Sequence, residues 1–174
     1  MHTKKHIIFV LIILFTLTAC GFKLRGQISS LPFKTLYIHA PVGQSIGTDV
    51  ERAITASTTT KVVFELKEAE AALQIVNVIR NRRILSLSGA GRVSEFQLIL
   101  HVIARLVDAE GTELAPTNNI ILTRNLPFLD AQILAKEAEE KMLYEDMQAD
   151  AVQQIIWRLS SVKPQKPKPE KQNE

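Results

Sequence analysis

The residue whose neighbours most plainly announce its chemistry is Cys20, the only cysteine in the chain. It closes the run Leu17-Thr18-Ala19-Cys20, an aliphatic residue and two small residues before a thiol. Lys4 and Lys5 stand in front, and Ile7 to Thr18 is almost entirely apolar. A basic start, a short apolar stretch and small residues at the cut make a secretion signal. The stretch is too short for a membrane span, which takes roughly 20 residues. A cysteine at the cut predicts a bacterial lipoprotein, its thiol carrying a diacylglycerol and its new amino terminus an N-linked palmitate. Three acyl chains at roughly 0.8 kcal/mol per buried methylene anchor far more firmly than one. The plainer alternative, an ordinary cleaved signal with an incidental cysteine, leaves a secreted chain with a lone unpaired thiol. Gly21 stands where an aspartate would mark retention, so onward export to the outer membrane is expected.

Residues that could catalyse do not assemble. His2 and His6 leave with the leader; His39 and His101 remain, and His101 alternates in an ordinary strand pattern. No Gly-x-Ser-x-Gly, no His-Glu-x-x-His and no cysteine nucleophile occurs. Paired carboxylates occur only as helix-surface charges. The sequence therefore predicts no enzyme, no cofactor and no metal site.

The formal charge of +3 and pI near 9.1 invite a nucleic-acid reading. The excess sits at the ends. Lys4 and Lys5 belong to the leader, and the tail from Lys163 holds four lysines against two glutamates. Residues 20–162 are left with about −1, so no basic domain exists to bind DNA or RNA. With Cys20 acylated no disulfide is available, although the compartment would permit one. About 155 residues remain after the leader, enough for one domain with a real core.

The domain reads as four segments: signal 1–19, lipidated linker 20–30, a single folded domain 31–162, and a lysine–proline tail 163–174 expected to be extended and disordered. A first strand is predicted over Phe33–His39, broken by Pro41 and Gly43. A helix follows over Ser45–Ser57, with Ile46, Val50, Ala53 and Ile54 on one face and capping-box spacing at Thr48 and Glu51. Lys61–Leu66 reads as a second strand. This order suggests a right-handed crossover and two parallel strands.

Leu73–Leu87 and Ser94–Val107 read as two long strands joined by the glycine-rich loop Ser88-Gly89-Ala90-Gly91. In the second, Phe96, Leu98, Leu100, Val102, Ala104 and Leu106 share one face. Asp108 to Gly111 is a turn, and Asn119–Leu126 the last strand. A long helix capped by Asp130 runs to about Leu159, roughly 45 Å. Its expected apolar stripe is Leu134, Ala138, Met142, Ala149, Val152, Ile156 and Leu159. The predicted class is α+β: a two-layer sandwich, with a mixed, mostly antiparallel sheet of four or five strands and two helices packed on one face.

Three stretches resemble a known family, the lipopolysaccharide-assembly lipoproteins of Gram-negative bacteria (LptE, also called RlpB). They are Ala19-Cys20-Gly21-Phe22-Lys23-Leu24-Arg25-Gly26, then Ser94-Glu95-Phe96-Gln97-Leu98, then the helix from Leu134-Ala135-Lys136-Glu137 through Met147 to Leu159. The resemblance runs from Cys20 to about Leu159. It implies a non-catalytic protein in the outer membrane, lipid-anchored, periplasm-facing and seated in the lumen of a β-barrel, LptD, in a one-to-one complex. It further implies a plug and assembly partner that binds lipopolysaccharide and helps move it to the outer leaflet. A lipid-anchored, pilotin-like chaperone or binding module for another envelope assembly shares the anchor and the size.

Lipopolysaccharide is a polyanion, and guanidinium pairs with phosphate bidentately. Given the resemblance, Arg80, Arg82, Arg83 and Arg92 become the candidate contacts. The hairpin as read brings Arg92 near Ile84 and Arg83, crowding four cations at one sheet end. The plain alternative is a charged, solvated sheet edge. Lys136, which matches the family's lysine, is either a further phosphate contact or one half of a surface pair with Glu140. Leu87, Gly89 and Trp157 are the candidate barrel contacts. Leu85 reads as core, Leu87 stays open between core and contact, and Trp157 lies off the main helix stripe.

Overall fold

The computed structural model describes residues 30–128 and 132–162. The acylation site at Cys20, the capping residue Asp130 and the tail from Lys163 lie outside the described residues. Five strands form one sheet: β1 Thr35–His39, β2 Lys61–Val63, β3 Ala71–Leu87, β4 Val93–Val107 and β5 Glu113–Pro127. The helices are α1, Ile46–Ser57, and α2, Ile133–Ser160. The sheet order is β2-β1-β3-β4-β5. β1 runs parallel to β2 and β3; β3, β4 and β5 are antiparallel. Both helices pack on one face, and the α+β sandwich read from the sequence is the fold observed.

The hairpin loops repeat one design. Ser88 donates its N–H to the Arg92 carbonyl and Gly91 to Ser88; Asp108 and Gly111 do the same with Thr112 and Asp108. Gly91 and Gly111 have φ of +75° and +85°. This is a type I turn closed by a left-handed residue, which glycine adopts without a Cβ penalty.

β3 carries a register shift. Ile75 faces Ala104 and Asn77 faces Ile103, so Val76 is an extra residue. Before it, Ala71, Leu73 and Ile75 point into the core; after it, Val78, Arg80 and Arg82 point to that same side, opposite Val102, Leu100 and Leu98. A bulge of this kind reverses side-chain parity.

The core lies between α1, the second half of α2 and the helix-facing side chains of the sheet. Leu36, Ile54, Leu98, Leu100, Val102 and Met147 are fully buried. Beyond β1 and β2 the long strands β3, β4 and β5 project as a three-stranded ribbon, with the start of α2 lying over it. Among the described residues no helix lies on the ribbon's other face, and Ile79 and Ile121 are exposed there on either side of His101.

Several boundaries differ from the sequence reading. β2 stops at Val63, where the chain turns into a single 3-10 turn at Leu66–Glu68 and leaves Phe64 on the surface. β5 begins six residues before Asn119. Pro116 hid that start, yet an edge strand tolerates proline at a bulge. Here Pro116 and Thr117 stand opposite the single Arg105. Leu85 is exposed at the ribbon tip, not core.

The apolar stripe of α2 is also corrected. Leu134, Ala138, Met142 and Ala149 face solvent; the buried face is Tyr144, Met147, Gln148, Ala151, Val152, Ile155, Ile156 and Leu159. Apolar residues on both faces of a long helix let the 3.6-residue period be threaded in two ways, and the sheet selects one. Met147→Ala should therefore lower unfolding free energy by about 2–5 kcal/mol in urea titrations. Met142→Ala should stay within about 0.5 kcal/mol of wild type.

Candidate functional site

Where α2 leaves the main core, polar side chains tie it to the sheet. Arg80 donates to the Gln148 amide oxygen at 3.0 Å. The Gln148 amide nitrogen donates to Ser45 Oγ at 2.7 Å and Asp49 Oδ2 at 2.6 Å. Gln148 is thus buried with both ends of its amide satisfied, linking β3, α2 and the start of α1. Arg124 pairs with Asp150 at 2.6 Å, and Arg158 donates to Asn118 at 2.7 Å. Tyr144 lies under the Arg80 guanidinium, 5.5 Å from its ring centroid, and donates to the Asn81 carbonyl at 2.7 Å.

Nearer the start of α2 the ties frame a groove. Its first part, about 570 Å³, is lined by Arg80, Arg82, Glu137, Glu140, Lys141 and Tyr144. An adjoining recess of about 130 Å³ adds Lys136, Phe128, Leu126 and Ile133. Arg82, Glu137 and Glu140 line both, so the two lie side by side. The Arg82 guanidinium sits 4.5 Å over the Phe96 ring, and Phe96 meets Phe128 edge to face at 5.0 Å. Stacking on Phe96 restrains the guanidinium plane. Arg82 Nη1 pairs with Glu140 at 2.8 Å, and Lys136 Nζ with Glu139 at 2.7 Å. Lys136 is the more enclosed cation, its side chain 15% exposed against 46% for Arg82.

Of the five predicted basic residues, the structure brings three together: Arg80, Arg82 and Lys136. Arg83 faces the opposite side of the sheet, opposite Gln97. Arg92 belongs to the hairpin loop, beside Ser88, and not opposite Ile84 or Arg83. The expected crowding of four cations at the tip does not form, because β3 and β4 pair out to Leu87 and Val93. Lys136 pairs with Glu139 rather than Glu140, which Arg82 takes instead. Trp157 is exposed on α2, so it is no core neighbour; Leu87 is exposed beside the loop that holds Gly89. The parts sequence reasoning missed are Glu139 as the partner of Lys136, Glu140 as the partner of Arg82, and Tyr144, Gln148 and Phe128. The four-residue step from Lys136 to Glu140 to Tyr144 to Gln148, one strip along a helix, was the available signal. Among the described residues no cluster of metal-ligating side chains occurs, and no helix is long and apolar enough to cross a membrane.

A groove of arginine, lysine and aromatic side chains suits a ligand with anionic groups on a partly apolar body. The family model for lipopolysaccharide assembly, LptE, matches residues 28–159. The chain belongs to the LptE family. The LPS-assembly lipoprotein LptE of Yersinia enterocolitica is 30% identical over 149 residues, covering 80% of this chain and 68% of that one. The solution structure of lipoprotein B from Nitrosomonas europaea is 60% identical, with a TM-score of 0.71 over 81% of this chain and 91% of that one. The crystal structure of the rare lipoprotein B from Shewanella oneidensis, 23% identical with a TM-score of 0.64, covers 73% of this chain and 94% of its own and shows the same fold. LptE membership thus spans the whole described domain, the groove included.

Burial holds the Tyr144 hydroxyl above its ordinary pKa of 10.0; the Glu140 carboxylate adds to the rise, while Arg80 and Arg82 oppose it. A folded pKa above the unfolded one gives stability that is complete below about pH 10 and lost as pH climbs through the raised value. Tyr144→Phe should cost about 1 kcal/mol near neutral pH, from the lost bond to Asn81. It should also remove part of the alkaline loss of stability, both read from urea unfolding at the two pH values.

Proposed function

We propose that the groove between β3 and α2 binds phosphate groups of lipopolysaccharide, with Arg82 and Lys136 as the principal contacts and Arg80 behind them. One observation carries this: two partly enclosed cations face one groove, beside an aromatic pair that can lie against the ligand's apolar part. Guanidinium and ammonium bonds to phosphate are charge-assisted and are worth about 1.5–3 kcal/mol each. The protein binds and hands over; it does not react with its ligand. Arg83 and Arg92 belong to other surfaces, and a contact from Arg92 at the tip is a separate interaction with the same polyanion.

The reading continues to the cell. Residues 1–19 are a lipoprotein signal, Cys20 bears the acyl chains, 20–30 link it to the domain 31–162, and the lysine–proline segment 163–174 follows. The protein is anchored in the outer membrane and sits within the LptD barrel, one to one, as plug and assembly partner. Leu87 and Gly89 at the ribbon tip and Trp157 on α2 are contacts with the barrel wall; Leu87 and Trp157 present exposed apolar surface, as an anchoring side chain must.

The groove is tested with the double variant Arg82→Glu/Lys136→Glu. It should bind lipopolysaccharide about tenfold or more weakly, with a native circular dichroism spectrum. Arg83→Glu should change binding by less than about twofold. Equal weakening by both variants would mean diffuse charge attraction and no groove site. Affinity purification from detergent-solubilised outer membranes tests the partnership. The expected result is one large β-barrel in equal stoichiometry; a different assembly would favour the pilotin-like role.

A further inference from the structure

The groove's cations are already occupied. Glu140 reaches Arg82 across the gap from α2 to β3, and its side chain is only 22% exposed, so the carboxylate is part of the groove wall. Lys136 is paired along α2 itself, with Glu139 three residues further on. The guanidinium is held against Phe96 and meets Glu140 through Nη1. The carboxylate therefore occupies the place where a ligand oxygen would sit.

We propose that Glu140 is a built-in competitor for Arg82 that sets the binding strength an anion must bring to occupy the groove. The inference rests on the groove being the anion site. A tethered carboxylate competes at an effective concentration in the millimolar range or higher. A free carboxylate brings the same charge and no advantage, so it does not displace Glu140. A phosphate monoester brings about −1.5 to −2 charge and three acceptor oxygens near neutral pH. It outcompetes the single carboxylate, and two phosphates on one ligand can engage Arg82 and Lys136 together. Glu140 thereby lowers the affinity of every anion that uses Arg82 by the same factor, a loss that a weakly charged anion does not make good.

The test uses the full chain in detergent with two fluorescent probes, bis-phosphorylated lipid A and its monophosphorylated form, read by anisotropy. Glu140→Gln keeps the shape and removes the charge. It should bind both probes about two- to fivefold more tightly, the loss of one partly exposed ion pair. The ratio of the two affinities should stay within about twofold of its wild-type value, because both probes are relieved of the same competitor. In an Arg82→Gln background, Glu140→Gln should bring no gain. Glu140→Asp, which keeps the charge but draws it back by one methylene, should lie between wild type and Glu140→Gln. Weaker or unchanged binding by Glu140→Gln, while Arg82→Gln still weakens binding, would overturn the competitor role and leave the groove site standing. A gain that persists without Arg82 would also overturn it, as a long-range charge effect. Binding indifferent to Arg82→Gln would remove the groove site and this inference with it.

Discussion

One extra residue in β3 decides which way its arginines point. Without Val76 as a bulge, strict alternation from Leu73 and Ile75 would send Arg80 and Arg82 to the bare face of the sheet. With it, both lie under α2, where Gln148 and Glu140 meet them. The basic wall of the groove and the ties that β3 makes to the helix follow from that change of parity. Bulges commonly re-aim side chains next to functional sites.

The same shift divides α2 into two parts with different physics. From Tyr144 to Leu159 the helix buries an apolar face against β4 and β5, and burial of this kind supplies most of a domain's stability. From Ile133 to Leu143 no side chain is fully buried, and the helix rests on ion pairs. Partly exposed pairs are worth about 0–1 kcal/mol each. The first half is therefore the softer end, and it is the end that carries Lys136, Glu139 and Glu140. A ligand that trades one set of ionic partners for another works there against small energies, leaving the core untouched.

Much of this was legible in the chain. The alternation from Phe96 to Leu106 fixed both the central strand and its buried face. Gly91 and Gly111 marked the hairpins, and the strand–helix–strand order at the start announced the parallel crossover. Alternation alone puts Arg80 and Arg82 on one face. That the face was the helical one was not legible, because a bulge leaves no trace in apolar periodicity. The stripe of α2 was misread for a related reason: Leu134 and Met142 fit a helical period that no partner surface fulfils. Arg83 and Arg92 were grouped with the others by a hairpin read as too short; the pairing of β3 and β4 out to Leu87 and Val93 undoes it. That Glu140 reaches across to Arg82 on β3, and not along the helix to Lys136, was hidden because it depends on how the helix lies on the sheet.

The most direct test of the groove is site-specific photo-crosslinking in living cells. A photoreactive residue at Glu137, which lines both parts of the groove, is compared with one at Asn125 on the bare face opposite Gln97. A lipopolysaccharide adduct at position 137 and none at 125 is the result expected. An adduct at 125 with none at 137 would contradict it, and would place the ligand on the uncovered side of the sheet.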